Sequence, residues 1–303
     1  MRILVTGGCG FIGSHLVNRL IEEGHSVSII DKTPAYRVFK TDKIQMIQGD
    51  FGDVNLLQNC LDGVDVIFHL AWTTIPKTSN ENPIFDVSSN LIGTIKLLEA
   101  GLHSGVKRII FNSTGGTIYG PSISAPVSEN NITNPICSYG ITKLAAEKYL
   151  GLFQHINNLD YVIFRTSNAY GPRQNPQCGV GFITAALYSV TNQKPIDVWG
   201  DGTIIRDYIF IDDITQALIM AADIDFPGGI YHLSSGVGLS INEVIEIIGK
   251  VTGTEPDVRY TSGRSCDVSK VVLDNTKLQR TGWIPRVSID RGIYKTWRWM
   301  VSQ

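Results

Sequence analysis

Short apolar runs rich in β-branched residues recur along the chain: RILVTG at the start, then SVSIID, IQMIQGD, DVIFHLA, RIIFNST, YVIFRTS and later IYHLSS. Their near-continuous apolar character, in place of a strict alternation with polar residues, suits strands buried on both faces of a parallel sheet. Between them, 12–24, 84–103 and 138–155 have helical spacing and helix-forming residues. Strand and helix in alternation predict an α/β chain, a doubly wound parallel (Rossmann) sheet with right-handed crossovers. At 168–181 the sequence NAYGPRQNPQCGVG turns to Gly, Pro, Asn and Gln, which marks a loop leaving the sheet. The pattern therefore predicts a sheet domain over 1–170, to which about 207–236 returns, and a smaller C-terminal α/β lobe over 171–303. Further helices are expected at 181–192, 241–252 and 288–301.

The first strand–helix junction carries candidate chemistry. MRILVTGGCGFIG places Gly7, Gly10 and Gly13 three residues apart, directly after a strand and before a helix. Glycine lets the backbone approach a ligand closely, and the helix start offers unpaired N–H groups and a positive dipole end, so the stretch suits a phosphate. Asp31 closes the second strand 18 residues after Gly13. A carboxylate there accepts from both ribose hydroxyls of an adenosine and repels a 2'-phosphate, which favours NAD over NADP; the adjacent Lys32 weakens that preference. Asp50 and the HLAW stretch, His69 to Trp72, stand at the C-terminal ends of the third and fourth strands, the rim where such sheets bind ligands. His69, between Phe68 and Leu70, is expected to be a packed residue and not a base.

SYGITK sets Tyr139 and Lys143 four apart at the start of a helical segment, so both project from one face. A phenol with a pKa of about 10 is a poor base at neutral pH, and a neighbouring ammonium together with a nicotinamide charge is expected to stabilise the phenolate and bring it into a working range.

Composition narrows the class. The 303 residues are 43% hydrophobic and 18% charged, enough for a packed domain with an added lobe. The net charge of -2 comes without a run of Lys or Arg, which argues against nucleic acid as a partner. Five widely spaced cysteines lack CxxC pairs, so no metal site is expected and a reducing, cytoplasmic setting is. No 18 apolar residues run together, so no membrane span is expected.

TGGCGFIG and Tyr139-x-x-x-Lys143, in this order and separation, resemble the extended short-chain dehydrogenase/reductase family over essentially the whole chain. FNSTGGTIYG, RTSNAYGPRQ, WGDGTIIRDYIFIDD and RSCDV are similar to its nucleotide-sugar epimerase and dehydratase branch, most of all to UDP-sugar 4-epimerases. The resemblance implies a triad in which a Ser or Thr after the fifth strand joins Tyr139 and Lys143. Ser113, Thr114 and Thr117 are the candidates, and Thr114 is the choice. In dehydratases of the branch an Asp-Glu pair follows that residue; here Gly115 and Gly116 stand in those places, so water elimination lacks its acid and base.

The resemblance further implies an NAD site made by Gly7, Gly10, Phe11, Ile12, Gly13, Asp31, Lys32, Asp50, Phe51, Leu70, Ala71, Trp72, Asn90, Asn112, Tyr139 and Lys143. Ser113, Thr114, Asn168, Arg206, Arg264, Asp267 and Val271 would bind a UDP-sugar, with Asn168 on a phosphate and the two arginines on the diphosphate and nucleotide. Asp207 or Asp212 is the alternative partner for Arg206. Val271 would border the C2 substituent. The implied activity is C4 epimerisation of a UDP-hexose, UDP-GlcNAc/UDP-GalNAc and also UDP-Glc/UDP-Gal, through a transient 4-keto sugar. A 4-keto-sugar reductase and a non-catalytic NAD-sensing protein are the alternatives. A homodimer is implied, paired through the helices at 84–103 and 138–155.

Overall fold

Residues 1–34, 38–39, 44–121, 125–263 and 268–303 are described by the structure, a computed structural model. The apolar runs form β1 (Arg2–Thr6), β2 (Ser26–Asp31), β3 (Ile44–Gln48), β4 (Val66–His69), β5 (Arg108–Thr114) and β6 (Asp160–Thr166). The chain continues through β7 (Asn168–Tyr170), β8 (Ile196–Trp199), β9 (Ile205–Phe210), β10 (Gly229–Leu233), β11 (Gly238–Ser240), β12 (Val258–Thr261) and β13 (Lys270–Val271). The principal sheet has seven strands in the order β10-β6-β5-β4-β1-β2-β3. β1 pairs in parallel with β2 and β4, β2 with β3, and β4 with β5. The order reverses between β1 and β4, which opens a crevice beyond the strand C-termini of such a sheet.

The crossovers are α1 (Phe11–Glu22), α2 (Val54–Cys60), α3 (Pro76–Glu81), α4 (Pro83–Asp86), α5 (Ile92–His103) and α6 (Ser138–Asn157). A single π-turn, Val87–Leu91, joins α4 to α5. The helical pattern at 84–103 gives no sign of this break. Leu4, Ile67, Ile109 and Phe111 of the strands pack with Leu57 of α2, Leu97 and Leu98 of α5, and Ala146 and Leu150 of α6. Each of the Leu, Ile and Phe side chains among them, fully buried, contributes about 1.5–3 kcal/mol.

Two compact units result. The first comprises Met1–Ile118, Pro135–Arg165 and Thr215–Tyr231. Arg108 of β5 ties the last of these segments to the sheet: its guanidinium pairs with Asp160 and donates to the carbonyls of Ala221, Asp223, Ile224 and Phe226. The second comprises Tyr119–Asn134, Thr166–Ile214 and His232–Gln303. In it the Tyr119 hydroxyl meets the His232 ring, and the His232 N–H donates to Glu129, which binds segment 119–134 to that unit. Its helices include α7 (Phe182–Thr191), α9 (Ile241–Thr252), α10 (Thr276–Gln279) and α11 (Ile289–Val301), while α8 (Ile211–Ala222) runs from one unit to the other. β11, β9 and β13 form one small sheet, with β7 also on β9, and β12 pairs β8. Among the described residues no helix is long and apolar enough to cross a membrane, and no His/Cys/Asp/Glu group could hold a metal ion.

Candidate active site

At the C-terminal end of β1 the glycines have steric reasons. Gly7 has φ +73°, and a Cβ there would lie 2.8 Å from the Ala71 backbone; at Gly13 it would lie 2.1 Å from the Gly7 carbonyl oxygen. Helix α1 starts at Gly10 with no side-chain cap. Phe11 and Ile12 form its first turn, where helical N–H groups lack intrahelical acceptors. Asp31 accepts from the Cys9 N–H (2.9 Å) on Oδ2 and from the Thr33 N–H (2.8 Å) on Oδ1. A carboxylate accepts about four hydrogen bonds, so capacity for a diol is left on each oxygen. Lys32 pairs with Asp50 at 3.0 Å, and burial, with Asp31 beside it, pushes the Cys9 thiol up to about 12.

His69 is held on both ring nitrogens, by Thr6 Oγ1 at 2.8 Å and Thr94 Oγ1 at 2.9 Å, and packs on Phe51. Burial, then the Lys143 charge, lowers it to about 3, so it is a neutral packed residue as the sequence suggests. Leu70 and Ala71 follow it half-buried, and the Ala71 N–H donates to Thr6 Oγ1 at 3.3 Å. Asn90, carried by the π-turn, accepts from the Thr73 N–H and hydroxyl and donates to Thr74 Oγ1 and Asp86 Oδ1. Its amide is thus spent within the wall.

The end of β5 sorts the three candidate hydroxyls. Neighbouring strand residues face opposite ways. Ser113 Oγ donates to Glu147 Oε1 at 2.5 Å, and Glu147 in turn holds Arg165 at 2.7 Å, all of it buried. Thr114 Oγ1 instead accepts from Thr117 Oγ1 at 3.2 Å.

Just before them on β5, the Asn112 carbonyl accepts from Lys143 Nζ at 2.7 Å. That amine lies 3.9 Å from the Trp72 ring centroid, 4.6 Å from Phe111 and 5.9 Å from Tyr139, whose ring stands edge-on to Trp72. Desolvation brings Lys143 down to about 7, against smaller upward pulls from Glu147 and Asp86. The Tyr139 hydroxyl moves the other way: desolvation, with Cys137 and Asp86 adding, holds the phenol above its ordinary value. Burial that weakens the ammonium also penalises the phenolate, so the lysine alone does not lower the phenol.

In the second unit Arg206 Nη1 donates to the Val268 carbonyl (2.6 Å) and the Ile205 carbonyl (3.0 Å), and Asn168 Nδ2 donates to the Asp207 carbonyl at 2.9 Å. The Asp207 carboxylate is buried and accepts from Ser167, Ser235, Gly236 and Leu273, while Asp212 pairs with Lys295 at 2.8 Å. Val271 lies opposite Arg206 in the β13–β9 pairing and is half-buried. Arg264 and Asp267 lie outside the described residues. Asp86, a buried carboxylate, carries no signal in the sequence beyond an Asp amid apolar helix positions, and Asp207, an alternative partner for Arg206 by sequence, is buried among donors of its own unit.

The family model for the NAD-dependent epimerase/dehydratase family matches residues 3–234. The chain belongs to that family. A UDP-glucose 4-epimerase of Mycolicibacterium smegmatis is 34% identical over 304 residues, covering 98% of this chain and 97% of that protein. The crystal structure of a Thermus thermophilus UDP-glucose 4-epimerase in complex with NAD has a TM-score of 0.93 at 31% identity, with 99% of each chain covered. A UDP-N-acetylglucosamine 4-epimerase of Methanobrevibacter ruminantium, in complex with UDP-N-acetylmuramic acid, has a TM-score of 0.94 at 29% identity over 100% of this chain and 98% of that one. NAD is the cofactor of the epimerase/dehydratase family, and the uncapped α1 start, the glycine approach and Asp31 fit a dinucleotide.

Lys143 sets a testable balance between stability and function. Its amine falls from 10.5 to about 7 on folding, so between those pH values the unfolded chain binds a proton that the folded one does not. Its contribution to stability therefore rises with pH across that window. Lys143→Met, which removes the buried ionisable group, is expected to stabilise the NAD-stripped protein by about 1–3 kcal/mol at pH 7.5 and to flatten the rise toward pH 9.5. Urea unfolding at both pH values checks this; a variant less stable than wild type at each would contradict it.

Proposed function

We propose that the chain interconverts the C4 epimers of a UDP-hexose, with UDP-GlcNAc and UDP-GalNAc as substrates alongside UDP-Glc and UDP-Gal. The observation that carries this reading is the pairing of Tyr139 with the desolvated Lys143, whose amine sits on the Asn112 carbonyl of the strand that ends in Thr114, where Gly115 and Gly116 leave no acid–base pair for dehydration. Tyr139 takes the proton of the C4 hydroxyl and later returns it. Thr114, with Thr117 hydrogen-bonded to it, orients the same hydroxyl. Gly7, Gly10, Gly13 and Asp31 would hold NAD, which would supply a reversible hydride acceptor for C4 and a cationic ring whose charge would favour the Tyr139 phenolate. Lys143 stays fixed on the Asn112 carbonyl, where it can hold the nicotinamide ribose. Asn168 and Arg206 serve the diphosphate. No net oxidation results.

Assembly as a homodimer belongs to the same proposal. Ile84 is 83% exposed and Phe85 47%, and Ile92 and Ile141 are also exposed, an apolar surface on α4, α5 and α6 of the kind that copies of one chain bury together. A dimeric mass by light scattering at micromolar protein is expected, reverting to monomer in Ile84→Glu/Phe85→Glu. A monomeric wild type would remove this part.

Tyr139→Phe should cut turnover by at least about a hundredfold with NAD still bound, since only the proton-transfer group is lost. Thr114→Val should impair turnover more than Ser113→Ala, whose hydroxyl serves Glu147. Steady-state kinetics on UDP-glucose check both, and near-normal turnover by Tyr139→Phe would end this mechanism.

Acceptance of N-acetylated substrates rests on the small Val271. Val271→Tyr should overpack the pocket for a C2 N-acetyl group at a cost of about 1–3 kcal/mol, a selective loss of UDP-GlcNAc activity with UDP-Glc activity retained. Separation of the product epimers from each substrate pair is the measurement; equal effects on both pairs, or no wild-type activity on UDP-GlcNAc, would refute the assignment.

A further inference from the structure

Asp86 ends α4 with its side chain wholly buried. Its carboxylate accepts four hydrogen bonds. Oδ1 takes Thr74 Oγ1 at 2.5 Å and Asn90 Nδ2 at 2.9 Å, and Oδ2 takes Ser138 Oγ at 2.7 Å and Thr142 Oγ1 at 2.9 Å. Ser138 precedes Tyr139, and Thr142 precedes Lys143. Helix α6 needs such help: Cys137, at its N-cap, makes no side-chain cap bond. Its opening amides are met from α3, where Asn80 accepts the Ser138 N–H at 2.9 Å and Ser79 the Tyr139 N–H at 3.0 Å. A carboxylate facing a helix N-terminus also has the favourable dipole sign.

We propose that Asp86 is a positioning residue for the epimerisation, fixing the first turn of α6, and with it the Tyr139 hydroxyl, through Ser138 and Thr142. The proposal rests on the reading of Tyr139 as the group that moves the C4 hydroxyl proton. Four neutral donors satisfy Asp86 without cancelling its charge, so it acts on its neighbours as an anion. Cys137 and Asp86 both raise the Tyr139 phenol; Glu147 and Asp86 act on Lys143, which in turn acts on His69. The π-turn serves the same clamp, because it sets Asn90 to donate to Asp86 while the Asn90 carbonyl accepts from Thr94.

Asp86→Asn keeps the size of the side chain but puts an NH2 donor against two hydroxyl donors. In the NAD-bound enzyme kcat should fall about tenfold or more while KM changes by less than about threefold, because the loss is of alignment at the reacting atom. The acid limb of the kcat profile should shift to lower pH, since an anion that opposes the phenolate is gone. Hydrogen exchange should speed up in the peptide spanning 138–143 and stay unchanged in the strands. Ser138→Ala/Thr142→Val, which removes the bonds and leaves the charge, should lower kcat without moving the limb, and it carries the test if Asp86→Asn does not fold. Unchanged kcat and exchange in the variant that folds would overturn the proposal, as would an unmoved limb in Asp86→Asn. A wild type inactive on every UDP-hexose, with exchange at 138–143 still accelerated by the substitution, would sink the epimerase reading and leave the clamp standing.

Discussion

A lysine amine in an apolar wall is the constraint from which the candidate site is organised. Lys143 is 2% exposed, and its one described hydrogen-bond acceptor is the Asn112 carbonyl, at the end of β5. A buried ammonium needs such an acceptor or gives up its proton, and the amine here has moved far toward giving it up. That bond fixes the register between α6 and β5. It thereby sets where Tyr139, one turn earlier, stands relative to the hydroxyls on the strand end. Trp72 and Phe111 complete the wall and keep its dielectric low, which makes each charge near the phenol count for more.

Around this centre the polar groups form a connected chain. Thr6, His69, Thr94, Asn90, Asp86 and Thr142 pass hydrogen bonds from β1 through β4 and the π-turn into α6. Each member is buried, and an unmet partner at that depth would cost about 1–3 kcal/mol. Satisfaction of the whole chain is therefore demanding, and it leaves one geometry for the first turn of α6. His69 takes part as a neutral bridge and not as a base. The second unit repeats the device: the buried Asp207 gathers Ser167, Ser235, Gly236 and Leu273, the segments next to Asn168 and Val271. Burial pushes its carboxyl up, and the bonds it accepts from Ser235, Leu273 and Ser167 pull it back.

The sequence by itself determined the parts whose cause is local. A glycine turn between a strand and a helix, Asp31 at the end of the next strand and a tyrosine four residues before a lysine are each set by backbone sterics or helix periodicity. The apolar runs of the principal sheet were legible because strands buried on both faces leave a continuous signal. The strands of the second unit were not: β7, β11 and β13 have two or three residues each, too few for a period, and their partners lie far off in sequence.

What only the tertiary structure decided depends on groups distant in the chain. Strand alternation sends the adjacent hydroxyls of Ser113 and Thr114 to opposite faces without fixing which face is which; Glu147, 34 residues on, claims the first and leaves the second beside Thr117. The direction of the Tyr139 and Lys143 shifts follows from the rings and strand end that exclude water from them, which helical spacing alone does not show. Segment 119–134 joins the second unit through the Tyr119–His232 and Glu129–His232 contacts, across more than a hundred residues. Asp86 reads as an ordinary polar residue on an apolar helix until α6 folds onto it, because a carboxylate's role is set by the donors brought to it and the water taken away.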